Sequence, residues 1–548
     1  MNIKSFQKYK LCTLASLLSW VLVLAVAAQP ILDAELYIPT SFTDVSVITH
    51  CGDDRMFVAE RRGYIWTVLP NGKIVEKPFL NIIDKVGKGR EEGIHGIAFH
   101  PNYDEEGRFF VHYTNEEGSS VLASFTALED DFMFADSLSE SILLIYNQPY
   151  EDRNGAEIAF GPDGFLYIST GDGGGDGDPF GFSQSKENFH GKILRIDVDK
   201  PAGYGIPSDN PFASKLSMAL DEIWAYGLRN PSGLHFDKEY GDLWVVDRGE
   251  SYMDEVNVIW SEDEFGQNLG WSCYEGTRPV RTDLICDLSK ATTFPVAEHR
   301  HQNQPKKLIG GGVYRGSNFP AMNGAYIYAD EVSSNFYMLQ PSENGYDYTE
   351  VGTLRIQRPG CIGVAPNGDL MVASREDGMI YRLIDFCQAY QPYLFNMQED
   401  IIQFRLESGF WNDDFSVEWY KDGWMIDGVK DSILMVTESD NYNVSIIHER
   451  GCIMYSNELQ VQLRGASINW QELIQIWPNP FTTSFTLESM AEWELDAIIV
   501  DSDGRKVDAQ VIAPNSRFSW HVNLPKGLYT VQLVAPGGHQ HALQVIRK

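Results

Sequence analysis

Cations are scarce in this chain of 548 residues: 43 Lys and Arg stand against 77 Asp and Glu, a formal net charge of −34. Such a surface repels phosphate backbones and anionic headgroups, so nucleic-acid binding is excluded as a class. Cysteine is scarce as well, with seven in all, and no CxxC or His-rich spacing marks a zinc site. Helix signals are sparse, and no hydrophobic run after Ala28 is long enough to cross a bilayer. What is present is 43% hydrophobic and 12% aromatic residues, apolar surface enough for folded domains in spite of the charge. At roughly 100–200 residues per domain, the length predicts two to four of them.

Residues 1–28 have a different character from the rest. Lys4, Lys8 and Lys10 precede an apolar run from Leu11 to Ala28 that ends in small residues. That order predicts a secretory signal peptide, although the run is nearly long enough for an anchor. Six cysteines remain beyond it: Cys51, Cys273, Cys286, Cys361, Cys387 and Cys452. An even set in an exported protein predicts disulfides, with fifteen pairings open.

One short pattern recurs, a turn residue followed by aromatic and β-branched residues. It is centred on Phe57-Val58, Phe109-Phe110-Val111, Leu166-Tyr167-Ile168, Leu243-Trp244-Val245, Tyr326-Ile327-Tyr328 and Leu370-Met371-Val372. Units of about four strands at this spacing bury their faces only by packing on neighbours around an axis. The expected fold is therefore all-β: a six-bladed β-propeller over 35–385, followed by two small β-sandwich domains. Turn dipeptides such as Asn71-Gly72 and Asn367-Gly368 sit at strand boundaries. A Cys51–Cys361 bridge between first and last repeats would tie such a ring shut, and Cys273–Cys286 is the pairing expected between them.

Over 386–465, Cys387, a central Trp419 and Cys452 resemble an immunoglobulin-like sandwich, which implies a Cys387–Cys452 disulfide under the Trp. The segment 472–548 contains Pro478-Asn479-Pro480-Phe481, then Gly527-Leu528-Tyr529-Thr530-Val531-Gln532-Leu533, and ends on Arg547-Lys548. It resembles the C-terminal sorting domain of type IX secretion. That resemblance implies export through the periplasm, type IX machinery as a partner, and a secreted or cell-surface location with no transmembrane segment after signal cleavage.

Three stretches of the propeller could carry chemistry. Asp172, Asp176 and Asp178 lie in a Gly-rich run and could wrap a hard cation such as Ca²⁺, or form a solvated hairpin. Arg229 and Asn230 stand before Pro231 at a strand end, where the Arg fork could receive a carboxylate or bond backbone carbonyls of the next blade. Gly249 and Glu250 follow Val246-Asp247-Arg248.

The stretch from Pro39 to Leu383 resembles the soluble pyrroloquinoline-quinone (PQQ)-dependent glucose/sorbosone dehydrogenases. The resemblance is carried by Gly96-Ile97-Ala98-Phe99-His100-Pro101, Gly161-Pro162-Asp163-Gly164, Gly171-Asp172-Gly173-Gly174, Gly191-Lys192-Ile193-Leu194-Arg195 and Gly227-Leu228-Arg229-Asn230-Pro231. Trp271-Ser272-Cys273 and Tyr314-Arg315-Gly316 are more similar to the branch with hedgehog-interacting-protein-like sequences. The resemblance implies oxidation of an aldose at its anomeric carbon with PQQ and Ca²⁺, electrons passing to an external acceptor. It implies that Arg229 and Asn230 flank the quinone, that Glu91 faces the sugar, that Arg358 holds a cofactor carboxylate, and that Gly249 and Glu250 stand at the metal. Arg153 occupies the place of the family's catalytic His, with Asp152 beside it as a displaced base. A guanidinium stays protonated and cannot take the sugar's proton. The alternative reading is a non-catalytic surface propeller that binds a glycan or a protein.

Overall fold

The computed structural model describes residues 30–548 apart from 90, 129–130, 201–202, 214–217, 264–265, 282–285, 287–291, 302–305, 344, 390, 399, 407–414, 449–450, 463–469 and 536–539. The signal-peptide expectation lies outside the described residues.

Between Leu32 and Asp385 the chain forms six four-stranded antiparallel sheets arranged as propeller blades. The innermost strands are Val45–His50, Ile94–Phe99, Gly155–Phe160, Pro231–Phe236, Leu308–Val313 and Pro359–Val364, each in contact with the next around the ring. The second strands are Met56–Glu60, Arg108–Thr114, Leu166–Thr170, Leu243–Asp247, Tyr326–Asp330 and Leu370–Ser374. These are the six copies of the recurrent pattern. A second strand is covered on both faces by neighbouring blades, and four of the six are buried at every residue. Such strands read as unbroken apolar runs instead of alternating ones.

Inner strands crowd toward the axis, and small residues allow it. A Cβ on Gly310 would lie 2.1 Å from the Cα of Gly233 in the adjacent blade. The ring is closed by hydrogen bonds, because Leu32–Ile38 supplies the outer strand of the last blade and pairs with Ile380–Asp385. Cys51 and Cys361 are not bridged, contrary to expectation. Gly363 abuts Ile48, which sets Cys361 level with Ser46, five residues or about 16 Å of strand from Cys51. A disulfide tolerates at most about 7 Å between Cα atoms. The other two expected bridges are present, Cys273–Cys286 and Cys387–Cys452.

Beyond the ring, Pro392–Gln398, Ile401–Leu406 and Ile433–Met435 form one sheet, and a second is built on Phe415–Lys421 and Asp440–His448. Trp419, fully buried, shares one apolar cluster with Cys452. The last sandwich pairs Ile474–Trp477, Ser484–Ser489 and Arg517–His521 in one sheet and four strands from Leu495–Val500 to Gln540–Arg547 in the other. Among the described residues no helix is long and apolar enough to cross a membrane.

Candidate functional site

Inner strands run down from one end of the ring and second strands climb back, so two positions per blade meet at the same opening. The residues just before the inner strands include Asp44, Asn154, Asn230, Lys307 and Arg358. The residues just after the second strands are Arg61, Asn115, Gly171, Arg248, Glu331 and Arg375. Most of these line a single cavity on the axis, with Glu91 between them. One layer down, at alternate inner-strand positions, lie Ser46, His95, Glu157, Ser232, Ile309 and Cys361.

Five cations therefore face the cavity, Arg61, Arg248, Lys307, Arg358 and Arg375, against the carboxylates Asp44, Glu91, Glu157 and Glu331. Glu331 receives three of them: Lys307 at 2.7 Å, Arg358 at 3.3 Å and Arg375 at 3.5 Å. These contacts hold its carboxyl below the usual range against the opposing effect of burial. Asp44 pairs with Arg61 at 3.3 Å and with Arg375. Arg248 donates its Nε to the carbonyl of Leu308 at 2.6 Å, and no carboxylate among the described residues lies within 4.0 Å of it. Glu157 accepts the Leu234 amide at 2.7 Å, and burial in the channel pushes its carboxyl up to about 7. Asn154 is 2% exposed, and neither its amide oxygen nor its nitrogen has a partner.

Arg153 does not line this cavity. Its backbone takes φ 60°, and its buried guanidinium turns into the Gly-rich loop, where it donates to the carbonyl of Gly175. Around it stand Asp152 at 3.4 Å, Glu250 at 3.6 Å, Asp176 at 3.7 Å and Asp172 at 3.8 Å. Its amide donates to Glu91 at 3.0 Å and so ties the loop to the cavity wall. The carboxylates nominated for calcium are otherwise engaged. Asp172 accepts from Gly174 and from the Trp271 indole, both at 2.9 Å, and burial pushes it up to about 7. Asp178 accepts the amides of Phe182 and Ser183 and the Ser272 hydroxyl. Asp176 points to solvent. Glu250 accepts the Gly177 amide at 2.9 Å and lies 3.7 Å from Arg229. The Gly249 amide donates to Asp254, and a Cβ at Gly249 would strike the Met253 carbonyl at 1.7 Å. No group of three or more metal-binding side chains occurs among the described residues.

Arg229 is also withdrawn: it donates to the Arg248 carbonyl at 3.0 Å and packs 5.5 Å from the Trp271 ring. Asn230 and Arg358 do reach the cavity. Asp247 accepts both the Arg229 and Asn230 amides, fixing that strand end. Of the histidines, only His95 faces the cavity among the described residues. Arg61 donates toward its Nδ1 at 3.4 Å, so Nε2 carries the proton and bonds Thr114 at 2.8 Å. Burial and the adjacent Arg61 lower its pKa well below normal, and its one lone pair is taken.

Sequence reasoning missed Arg61, Arg248, Lys307 and Arg375. A signal existed: three of the four immediately follow a copy of the recurrent strand pattern, the position that the repeat register delivers to the mouth.

Six four-stranded blades around an axis, with a cation-rich opening at one end, define this protein as a β-propeller. Residues 44–382 match the family model described as Glucose / Sorbosone dehydrogenase, and the chain belongs to that family. Residues 475–547 match the Secretion system C-terminal sorting domain, so the chain ends in a type IX sorting domain. The HIPL2 protein of Arabidopsis thaliana is 30% identical over 370 residues, 55% of this chain and 52% of that protein. The Hedgehog-interacting protein of Homo sapiens is 28% identical over 338 residues, 58% of this chain and 44% of that protein. The chain thus spans about half the length of these relatives. The PQQ-bound aldose sugar dehydrogenase from Streptomyces coelicolor superposes with a TM-score of 0.50 at 20% identity, covering 65% of this chain and 99% of that one. The soluble aldose sugar dehydrogenase from Escherichia coli gives 0.51 at 18% identity, with 65% and 99% covered. These likenesses establish the propeller.

Proposed function

We propose that this chain is an exported, surface-located propeller that binds a glycan at its hub without oxidising it. The observation that carries this reading is Arg153. Its guanidinium sits among Asp152, Asp172, Asp176 and Glu250, and so fills the space between three of the carboxylates nominated for a divalent ion. The residues present suit the carboxylates of PQQ, which Arg248, Lys307 and Arg358 could receive. They do not suit its metal, since the nominated carboxylates are already engaged by a guanidinium, by amide groups, by an indole or by a hydroxyl. The expected base is replaced by a permanent cation, and His95 has no free lone pair. The sorting domain supports a secreted or surface-attached location, with type IX machinery as the export partner.

A second reading, PQQ-dependent aldose oxidation with an external electron acceptor, is favoured by Glu157, whose carboxyl is poised at about 7 inside the channel. Purified protein incubated with PQQ and CaCl₂ and assayed with an aldose panel and a redox dye separates the two. The binding reading expects no dye reduction, whether or not the quinone is held. Saturable, sugar-dependent dye reduction would overturn it.

A further inference from the structure

We infer that the hub selects a carboxylate-bearing saccharide, a uronic-acid unit, over neutral sugars. This rests on the binding reading above and specifies its ligand class. Arg248 presents a planar fork to the cavity with no carboxylate within 4.0 Å of it among the described residues, Asp254, Glu331 and Glu91 acting on it from farther away, in a chain whose net charge is −34. Lys307 stands on the next blade, its ammonium 2.7 Å from Glu331, which Arg358 and Arg375 also share. This arc of the mouth therefore carries more positive charge than the protein neutralises. An anionic ligand group completes it, and a carboxylate matches the fork with two parallel hydrogen bonds.

The opposite arc has another chemistry. The Asn154 side chain, 2% exposed, lines the cavity with both donor and acceptor unmet. Buried amides in that state are rare unless a ligand or water answers them. Glu91 on the same side lines the cavity as a further acceptor and already holds the Arg153 amide. An amide and a carboxylate facing a cationic arc suit the hydroxyls of a sugar whose acid group points the other way. Beyond Glu91, the Arg153 guanidinium is held by the Gly175 carbonyl. Over that turn the exposed rings of Tyr150 and Phe180 lie 6.3 Å apart. They form an apolar shelf at the rim for the C–H face of a neighbouring sugar in a chain.

The test is calorimetric titration of the full exported chain with an oligogalacturonate, its methyl ester and a neutral galactan oligomer of equal length. The expected order is oligogalacturonate first, with the ester and the galactan about tenfold or more weaker, as befits loss of a charge-assisted bond. Arg248→Gln should remove that preference, and Arg248→Lys should restore it in part. Asn154→Leu should weaken all three ligands. Equal binding of acid and ester, or an unaltered preference in Arg248→Gln, would overturn the inference and leave the glycan-binding reading intact. No binding of any saccharide, together with PQQ-dependent dye reduction, would overturn both.

Discussion

Arg153 shows how one side chain changes what a site can hold. Four carboxylates lie within 4.0 Å of its guanidinium, and each would raise the pKa of its neighbours if the cation were removed. Arg153→Gln is expected to lose about 2–4 °C of Tm in EDTA and to regain it with CaCl₂, while the parent chain is indifferent to both. Scanning calorimetry with the two additives checks this. Glu157 offers a second test. Its carboxyl rises from 4.5 to about 7 on folding, so the folded chain holds the proton that the unfolded chain has already released. Stability therefore falls as pH rises from about 4.5 to about 7 and is level above that. Glu157→Gln should flatten this decline in a Tm-against-pH series. Arg153 stood out in the sequence by its place in a familiar run, but its direction did not. A φ of 60° at that residue turns the side chain from the axis into its own loop, and neither composition nor spacing reports a single backbone dihedral.

At the scale of elements, blades were readable because a strand buried on both faces must be written in apolar residues. Where two inner strands approach, the constraint is steric. Gly310→Ala would put a methyl 2.1 Å from Gly233 Cα, and overpacking of this kind costs about 1–3 kcal/mol. Urea unfolding of the propeller should register the loss, with an unchanged transition in the sandwich domains. The Cys387–Cys452 bridge closes a loop with a sequence separation of 65, for which chain entropy predicts about 4 kcal/mol. Replacing both cysteines with Ser should shift the unfolding of that sandwich, followed by Trp419 fluorescence, and leave the hub's ligand affinity unaltered. Cys51 and Cys361 lie on blades that meet, but bridging depends on register along the strands. Five residues of offset could not be read without knowing which Gly abuts which Ile.

For the molecule as a whole, net charge was a sound guide to what the surface repels and a poor guide to the hub. A total of −34 conceals five cations, Arg61, Arg248, Lys307, Arg358 and Arg375, brought together from four blades. Their convergence is a product of the ring. The ring's closure has a consequence for how the protein is made. Leu32 finds its partner at Asp385, so the first strand of the ring has nothing to pair with until almost the entire propeller has been synthesised. Until then the nascent hub stays an open arc with its leading edge unmated. The circle is sealed only when its newest blade returns to its oldest strand.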